Sequence, residues 1–226
     1  MNTLGIFAKH PERGTVKTRL AAAIGNSSAA ELYAAFVRDL TKRCGTLTDV
    51  LCVAVTPESE AARNWFTPLL STNAALEFQP GGDLGERIGW FFESRAGRGS
   101  GRSVLIGSDS PDLPDELIRQ AFAELDTHDV VLGPATDGGF VLVGMKQPPG
   151  TLFDGIRWSQ PTTLFDLLRA AARQHLSTVL LQPWYDIDTI ENLGTLRALQ
   201  HGEVAGNLQP AKCPRTAEVL SGLSMF

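Results

Sequence analysis

Short runs of aliphatic and β-branched residues alternate with stretches of helical periodicity along most of the chain. Seven runs read as strands, over 3–8, 50–56, 76–79, 103–107, 129–133, 139–145 and 178–182. Several are apolar on both faces, the pattern of strands covered by helices on each side of a sheet. Between them, 27–44 reads as a helix opened by Ser27 or Ser28, with Leu32, Ala35, Phe36 and Leu40 on one face. Segments 58–66, 83–95, 114–125, 163–174 and 190–200 read likewise. This alternation predicts an α/β fold of three layers, a mostly parallel seven-stranded sheet flanked by helices and joined by right-handed crossovers. Ligands of such sheets bind beyond the carboxyl ends of the strands, so chemistry is sought in those loops.

Residues 1–202 carry this pattern and read as one domain. The glycine-rich stretch 97–101 reads as a flexible connection before the fourth strand. The periodicity fades after His201, so 203–226 reads as a tail, either a loose appendage or an arm for a homodimer. An apolar content of 43% with 20% charged residues excludes wholesale disorder. A net charge of −5 and a pI of about 5.4 argue against a nucleic-acid partner, which calls for a basic field. A local cationic cluster on an acidic protein suits a small anionic ligand instead. The opening residues lack the pattern of a signal peptide, and no apolar run reaches the length of a membrane span. Cys44, Cys52 and Cys213 have no metal-type spacing and read as buried thiols of a reducing compartment, so the expected location is cytoplasmic.

The first strand runs into a loop carrying Lys9, Arg13, Lys17 and Arg19. Four cations at a strand's carboxyl end concentrate positive charge where a phosphate would bind, with Arg offering a bidentate fork and Lys a mobile point charge. Gly14 allows a sharp turn and close backbone approach, and a following helix would add its N-terminal amides. Val16 before Lys17-Thr18 excludes a P-loop, which needs glycine there. The fourth strand ends in Gly107-Ser108-Asp109, which puts a carboxylate on the same sheet edge. Such hard oxygen ligands suit Mg²⁺ or Mn²⁺ shared with substrate phosphates. Asp112, just before Pro114, reads instead as a residue that starts a helix.

Three further loops carry candidates. In Asp186-Ile187-Asp188 one aspartate is a candidate second metal ligand and the other a helix cap. Asp137-Gly138-Gly139 either meets an acceptor or a sugar hydroxyl, or forms a plain Asp-Gly turn between antiparallel strands. In the stretch after the third strand Asp83 and Glu86 match a capping box, and Gly82 would let a flat base lie against backbone.

Five stretches, FAKHPERGTVKTRLA, GGDLGERI, IGSDSPDLP, GPATDGGFVLVG and YDIDTIENL, lie in order over residues 4–194. Together they resemble the nucleotide-diphospho-sugar transferase (GT-A-like, Rossmann-like) superfamily. More narrowly they resemble the bacterial family labelled glycosyltransferase or radical-SAM/selenodomain-associated transferase. The KTRL stretch is similar to the Lys-Ser-Arg-Leu loop of phospholactate guanylyltransferases, whose late Asp-x-Asp-Thr matches Asp186–Thr189. The resemblance implies a mixed seven-stranded sheet with nucleotide on its N-terminal half. It implies Lys17 and Arg19 as catalytic phosphate contacts, and Asp109 and Asp188 as metal ligands. A strict Asp-x-Asp, typical of many glycosyltransferases, is missing because Pro111 stands in place of its second aspartate. The expected activity is metal-dependent nucleotidyl transfer from a nucleoside triphosphate to a small phosphorylated acceptor. Lys9, Arg13, Gly14 and Gly82 would bind the nucleotide, and Asp137, Gly138 and Gly139 the acceptor or sugar. The alternatives are sugar transfer from a nucleotide-diphospho-sugar and nucleotide binding without turnover.

Overall fold

All seven strand segments are strands of one sheet in the computed structural model, which describes residues 1–99, 101–148, 150–202 and 208–223. They are β1 (Asn2–Lys9), β2 (Val50–Thr56), β3 (Ala74–Phe78), β4 (Arg102–Gly107), β5 (Val130–Pro134), β6 (Phe140–Met145) and β7 (Thr178–Leu180). Their order is β3-β2-β1-β4-β6-β5-β7. β6 is antiparallel to both β4 and β5, while the other pairs are parallel, so the sheet is mixed. The cause is loop length. Only residues 135–139 join β5 to β6, and a parallel return needs a crossover of a dozen or more residues.

Both faces of the sheet are buried, as the apolar runs require. Leu4 and Ile6 of β1, Leu51 and Val53 of β2, and Val104 and Ile106 of β4 face one core. Over that core lie α1 (Thr18–Ile24), α2 (Asn26–Cys44), α3 (Glu60–Phe66), α5 (Asp115–Glu124), α7 (Ile190–Gln200) and α8 (Pro214–Ser221). The alternate residues Cys52, Ala54 and Leu105 face a second core under α4 (Leu84–Gly97) and α6 (Thr163–Arg173). Gly5 is obligatory there, because a β-carbon on it would be 2.5 Å from the Phe91 ring of α4.

Several helix starts differ from the sequence reading. Neither Ser27 nor Ser28 caps α2; Gly25, at φ 83°, links it directly to the preceding α1, a helix too short to show a periodicity. Asp83 and Glu86 do form the capping box of α4, with bonds of 2.9 and 2.7 Å. The glycine-rich connection includes Ser100, which lies outside the described residues, and α4 extends into it as far as Gly97. Residues 203–207 and 224–226 of the expected tail also lie outside them. The segment 208–223 is docked. Asp39 of α2 accepts from the Arg215 amide (3.1 Å), the Thr216 amide (2.8 Å) and Thr216 Oγ1 (2.8 Å) at the start of α8. All three cysteines are buried and unpaired. Among the described residues no helix is long and apolar enough to cross a membrane.

Candidate active site

Strand ends and one unusual backbone conformation build the site. Lys17, between the β1 loop and α1, has φ 48° and ψ 44°, a left-handed geometry that costs a non-glycine residue roughly 1–2 kcal/mol. That turn sends its side chain inward. Lys17 Nζ lies 2.5 Å from Asp109 Oδ1 and 3.1 Å from Asp188 Oδ1, and 5.8 Å from the centre of the Phe36 ring. The lysine side chain is 2% exposed, whereas those of Asp109 and Asp188 are 47% and 42% exposed. A buried ammonium thus bridges two carboxylates that remain open to solvent.

Asp188 is held in place by a seam between the segment after β4 and the segment before α7. The Ile187 amide donates to the Asp109 carbonyl (2.9 Å), and Ser110 Oγ donates to Asp186 Oδ1 (2.7 Å). Tyr185 OH and Trp184 Nε1 donate to the two oxygens of Asp112, at 2.7 and 3.2 Å. Asp112 is therefore no helix cap. It is fully buried and anchors two aromatic side chains, while Pro114 occupies the capping position of α5 without a side-chain bond. Burial raises the Asp112 pKa, against the pull of its two aromatic donors. Neither Asp186 nor Asp188 caps α7; Thr189 does, accepting from the Asn192 amide. Burial pushes Asp186 up to about 6; its Ser110 bond opposes the rise and the Asp109 charge adds to it.

These residues open onto a cleft of about 710 Å³. Of the sequence candidates, Lys9, Lys17, Arg19, Asp109, Asp137, Gly139, Asp186 and Asp188 line it. Arg13, Gly14, Gly82 and Gly138 are outside its lining. Gly14, at φ 80°, makes an exposed turn. Gly82 leaves room for the Glu86 carboxylate of the capping box, and Gly138 packs against the Pro161 carbonyl. Asp137 spends one oxygen on the Gly139 amide (2.9 Å), so the Asp-Gly turn between antiparallel strands is present and its second oxygen faces no protein donor among the described residues.

The lining also includes polar and aromatic side chains without an assigned role in the sequence, among them Tyr33, Gln79, Arg87 and Trp158. Tyr33 comes from α2, Gln79 from the end of β3, Arg87 from α4 and Trp158 from the segment before α6. Gln79 Nε2 donates to the Ala54 carbonyl (2.7 Å). Arg87 Nε and Trp158 Nε1 are buried without a hydrogen-bond partner among the described residues. Arg87 was visible in the GGDLGER stretch as a cation one turn into a capped helix; Trp158 had no spacing to betray it.

Among the described residues no group of three or more Asp, Glu, His or Cys side chains forms a ready cation cage. Two open carboxylates on one sheet edge nevertheless fit a hard divalent ion, since Mg²⁺ is commonly held by one or two carboxylates plus substrate phosphates. The ammonium between them would be displaced or shared on loading.

Known structures share this architecture. A protein from Desulfovibrio desulfuricans G20, provisionally assigned as a nucleotide-diphospho-sugar transferase, is 31% identical with a TM-score of 0.85, covering 98% of this chain and 96% of that one. A cytidylyltransferase from Leptospira borgpetersenii is 12% identical with a TM-score of 0.56, covering 98% and 94%. An inositol-1-phosphate CTP transferase from T. maritima is 15% identical with a TM-score of 0.53, covering 97% of each chain. At such identities the last two establish the fold alone. Comparison with curated proteins finds no match. Residues 39–160 match the family described as "Uncharacterized protein conserved in bacteria (DUF2064)", and this chain, with its nucleotide-diphospho-sugar transferase fold, belongs to that family.

Proposed function

We propose that this nucleotide-dependent transferase moves a nucleotidyl group from a nucleoside triphosphate to a small phosphorylated acceptor, using a divalent cation held by Asp109 and Asp188. The observation that carries the reading is the buried Lys17 ammonium, 2.5 and 3.1 Å from two half-exposed carboxylates at the end of a cationic loop. A phosphate oxygen of the acceptor would attack the α-phosphorus, and the bond from α-phosphorus to the bridging oxygen would break to release pyrophosphate. Mg²⁺ or Mn²⁺, when bound, would offset the negative charge of the phosphate chain. Lys17 and Arg19 stabilise the departing pyrophosphate, and Lys9 draws the triphosphate to the cleft. An acceptor phosphate is already ionised at neutral pH and needs no strong base.

A second reading, sugar transfer from a nucleotide-diphospho-sugar, is favoured by the provisional assignment of the D. desulfuricans protein. Asp137, with one oxygen free, would then orient the sugar. Thermal-shift measurements with Mg²⁺ and either nucleoside triphosphates or nucleotide-diphospho-sugars separate the two. Stabilisation by a triphosphate, lost in Lys17→Met and Asp109→Asn, is the expected result. Stabilisation by diphospho-sugars alone would overturn nucleotidyl transfer. Triphosphate binding without pyrophosphate release across a panel of phosphorylated acceptors would point to binding without turnover.

A further inference from the structure

Tyr33 ties together the two strand ends that carry the site. It lies on α2, is 3% exposed, and its hydroxyl meets the Lys9 amide at 2.9 Å and Ser108 Oγ at 2.7 Å. Proton counting fixes the direction of the first bond, and acidity favours one direction for the second. A backbone amide can only donate, so the phenol oxygen accepts from Lys9. The phenol has a single hydrogen, and Ser108 Oγ is the one remaining partner for it among the described residues. The opposite direction would leave the phenol hydrogen spare in place of the serine hydrogen; the phenol is the more acidic hydroxyl and the poorer acceptor, and it already accepts from Lys9, which favours donation from Tyr33. Ser108 Oγ therefore accepts from Tyr33, and its own hydrogen has no acceptor among the described residues. Ser108 is nonetheless on the cleft wall, next to Asp109 and on the same strand edge as Lys9 and Lys17.

We infer that the Ser108 hydroxyl is a hydrogen-bond donor reserved for a phosphate oxygen of the bound nucleotide, with Tyr33 as the positioning residue that aims it. The inference rests on the nucleotide reading of the cleft. A phosphate oxygen is the fitting acceptor because Lys9 and Arg19 line the same cleft and, unlike Lys17, form no ion pair among the described residues. Ser108 contacts the ligand; Tyr33 acts through it, turning the serine hydrogen outward by occupying its lone pair.

The test is the affinity for ATP, CTP, GTP and UTP, each with Mg²⁺, measured by titration calorimetry beside the melting temperature of each variant. Removing a hydrogen bond to a charged group predicts about 10- to 100-fold weaker binding in Ser108→Ala. Ser108→Thr keeps the donor and is expected to restore most of the affinity. Tyr33→Phe is expected to weaken binding less, and to add nothing when combined with Ser108→Ala. A purely structural tyrosine would instead weaken the double variant further, by its full single-variant factor. Ser108→Ala also takes the acceptor from the phenol hydrogen and should melt lower, so if Tyr33→Phe fails to fold, the affinity of folded Ser108→Ala against that of Ser108→Thr still decides the matter. Wild-type affinity in Ser108→Ala, with binding lost in Lys17→Met, overturns the serine assignment and leaves the nucleotide reading standing. No triphosphate binding in the wild type, or full binding in Lys17→Met, overturns the nucleotide reading and the serine assignment with it.

Discussion

Replacing Lys17 by Met removes the ammonium and keeps a side chain of similar length against Phe36, so packing is little disturbed. The two ion pairs, at 2.5 and 3.1 Å, each have a gross attraction of roughly 5–7 kcal/mol at an effective dielectric of ~20. Most of that is offset. The ammonium is stripped of water, and the half-exposed carboxylates regain hydration once it is gone. The net destabilisation expected is about 2–3 kcal/mol, or a melting temperature about 4–12 °C lower for a chain of this size. A second effect has the opposite sign. Without the lysine, Asp109 and Asp188 are left as neighbouring like charges, so Mg²⁺ or Mn²⁺ should stabilise Lys17→Met more than it stabilises the wild type. The same variant should bind triphosphate far more weakly, with turnover reduced roughly 10²–10³-fold.

Differential scanning fluorimetry at low ionic strength, with and without each cation and triphosphate, reads all of this in one series. A melting temperature equal to wild type, together with no added response to divalent ions, would refute the bridge between the two carboxylates. The backbone supplies an internal control. Because Lys17 is left-handed at φ 48°, Lys17→Gly should be more stable than Lys17→Ala by about 1 kcal/mol, although both lose the same charge. The reverse order would mean that the turn is not held as described.

Two other outcomes follow from polar groups away from the lysine. Asp112→Ala leaves Tyr185 OH and Trp184 Nε1 without acceptors and should cost about 2–5 kcal/mol in urea unfolding, with Asp112→Asn costing less; equal losses in the two variants would contradict the anchoring role. Bonds from the Ser177 hydroxyl and then its amide hold the Asp129 pKa below its ordinary 3.8. A depressed carboxylate adds stability that is present above the unfolded pKa and lost as the pH falls through the folded one. Ser177→Ala should therefore lower the melting temperature at neutral pH, with the gap to wild type closing below about pH 4. A gap of constant size across that range would show that the carboxylate is not the partner that matters.

The strands were legible because burial on both faces leaves a direct trace, a short run of apolar residues bounded by turn formers. Position at a strand end likewise brought Lys17, Asp109 and Asp188 into view, since each follows an apolar run whose register is set by the sheet. The short helices α1 and α8 left no such trace. α1 follows a left-handed Lys17 with no side-chain cap to mark its start, and α8 depends on the Asp39 carboxylate, far away in sequence. Asp112 was misread for a related reason. An aspartate two residues before a proline has a local use as a cap, and nothing local shows that two aromatic donors arrive from 72 and 73 residues away. A polar residue's burial is a tertiary fact, so the hydrogen-bonded parts of the site stayed hidden while its charged parts did not.

The same distinction explains how one helix with no expected chemistry comes to organise the cleft. On α2, Tyr33, Phe36 and Arg43 are spaced by three and seven residues, which places them along one face. In the sequence the helix reads only through its apolar face of Leu32, Ala35, Phe36 and Leu40. In the fold, Tyr33 joins the ends of β1 and β4, and Phe36 lies under the Lys17 ammonium. Arg43 donates to the carbonyls of Pro111 and Leu113, at 3.0 Å each, and pairs with Asp115, fixing the loop that follows Asp109. The charged groups of the site therefore come from three loops, and one face of α2 holds two of them, the loop after β1 and the segment after β4. A substitution on that face that preserves volume and removes a polar atom, such as Tyr33→Phe, is expected to lower stability by roughly 1–3 kcal/mol, because the Lys9 amide loses its acceptor, and to lower ligand affinity with it, because the two strand ends lose their shared tie.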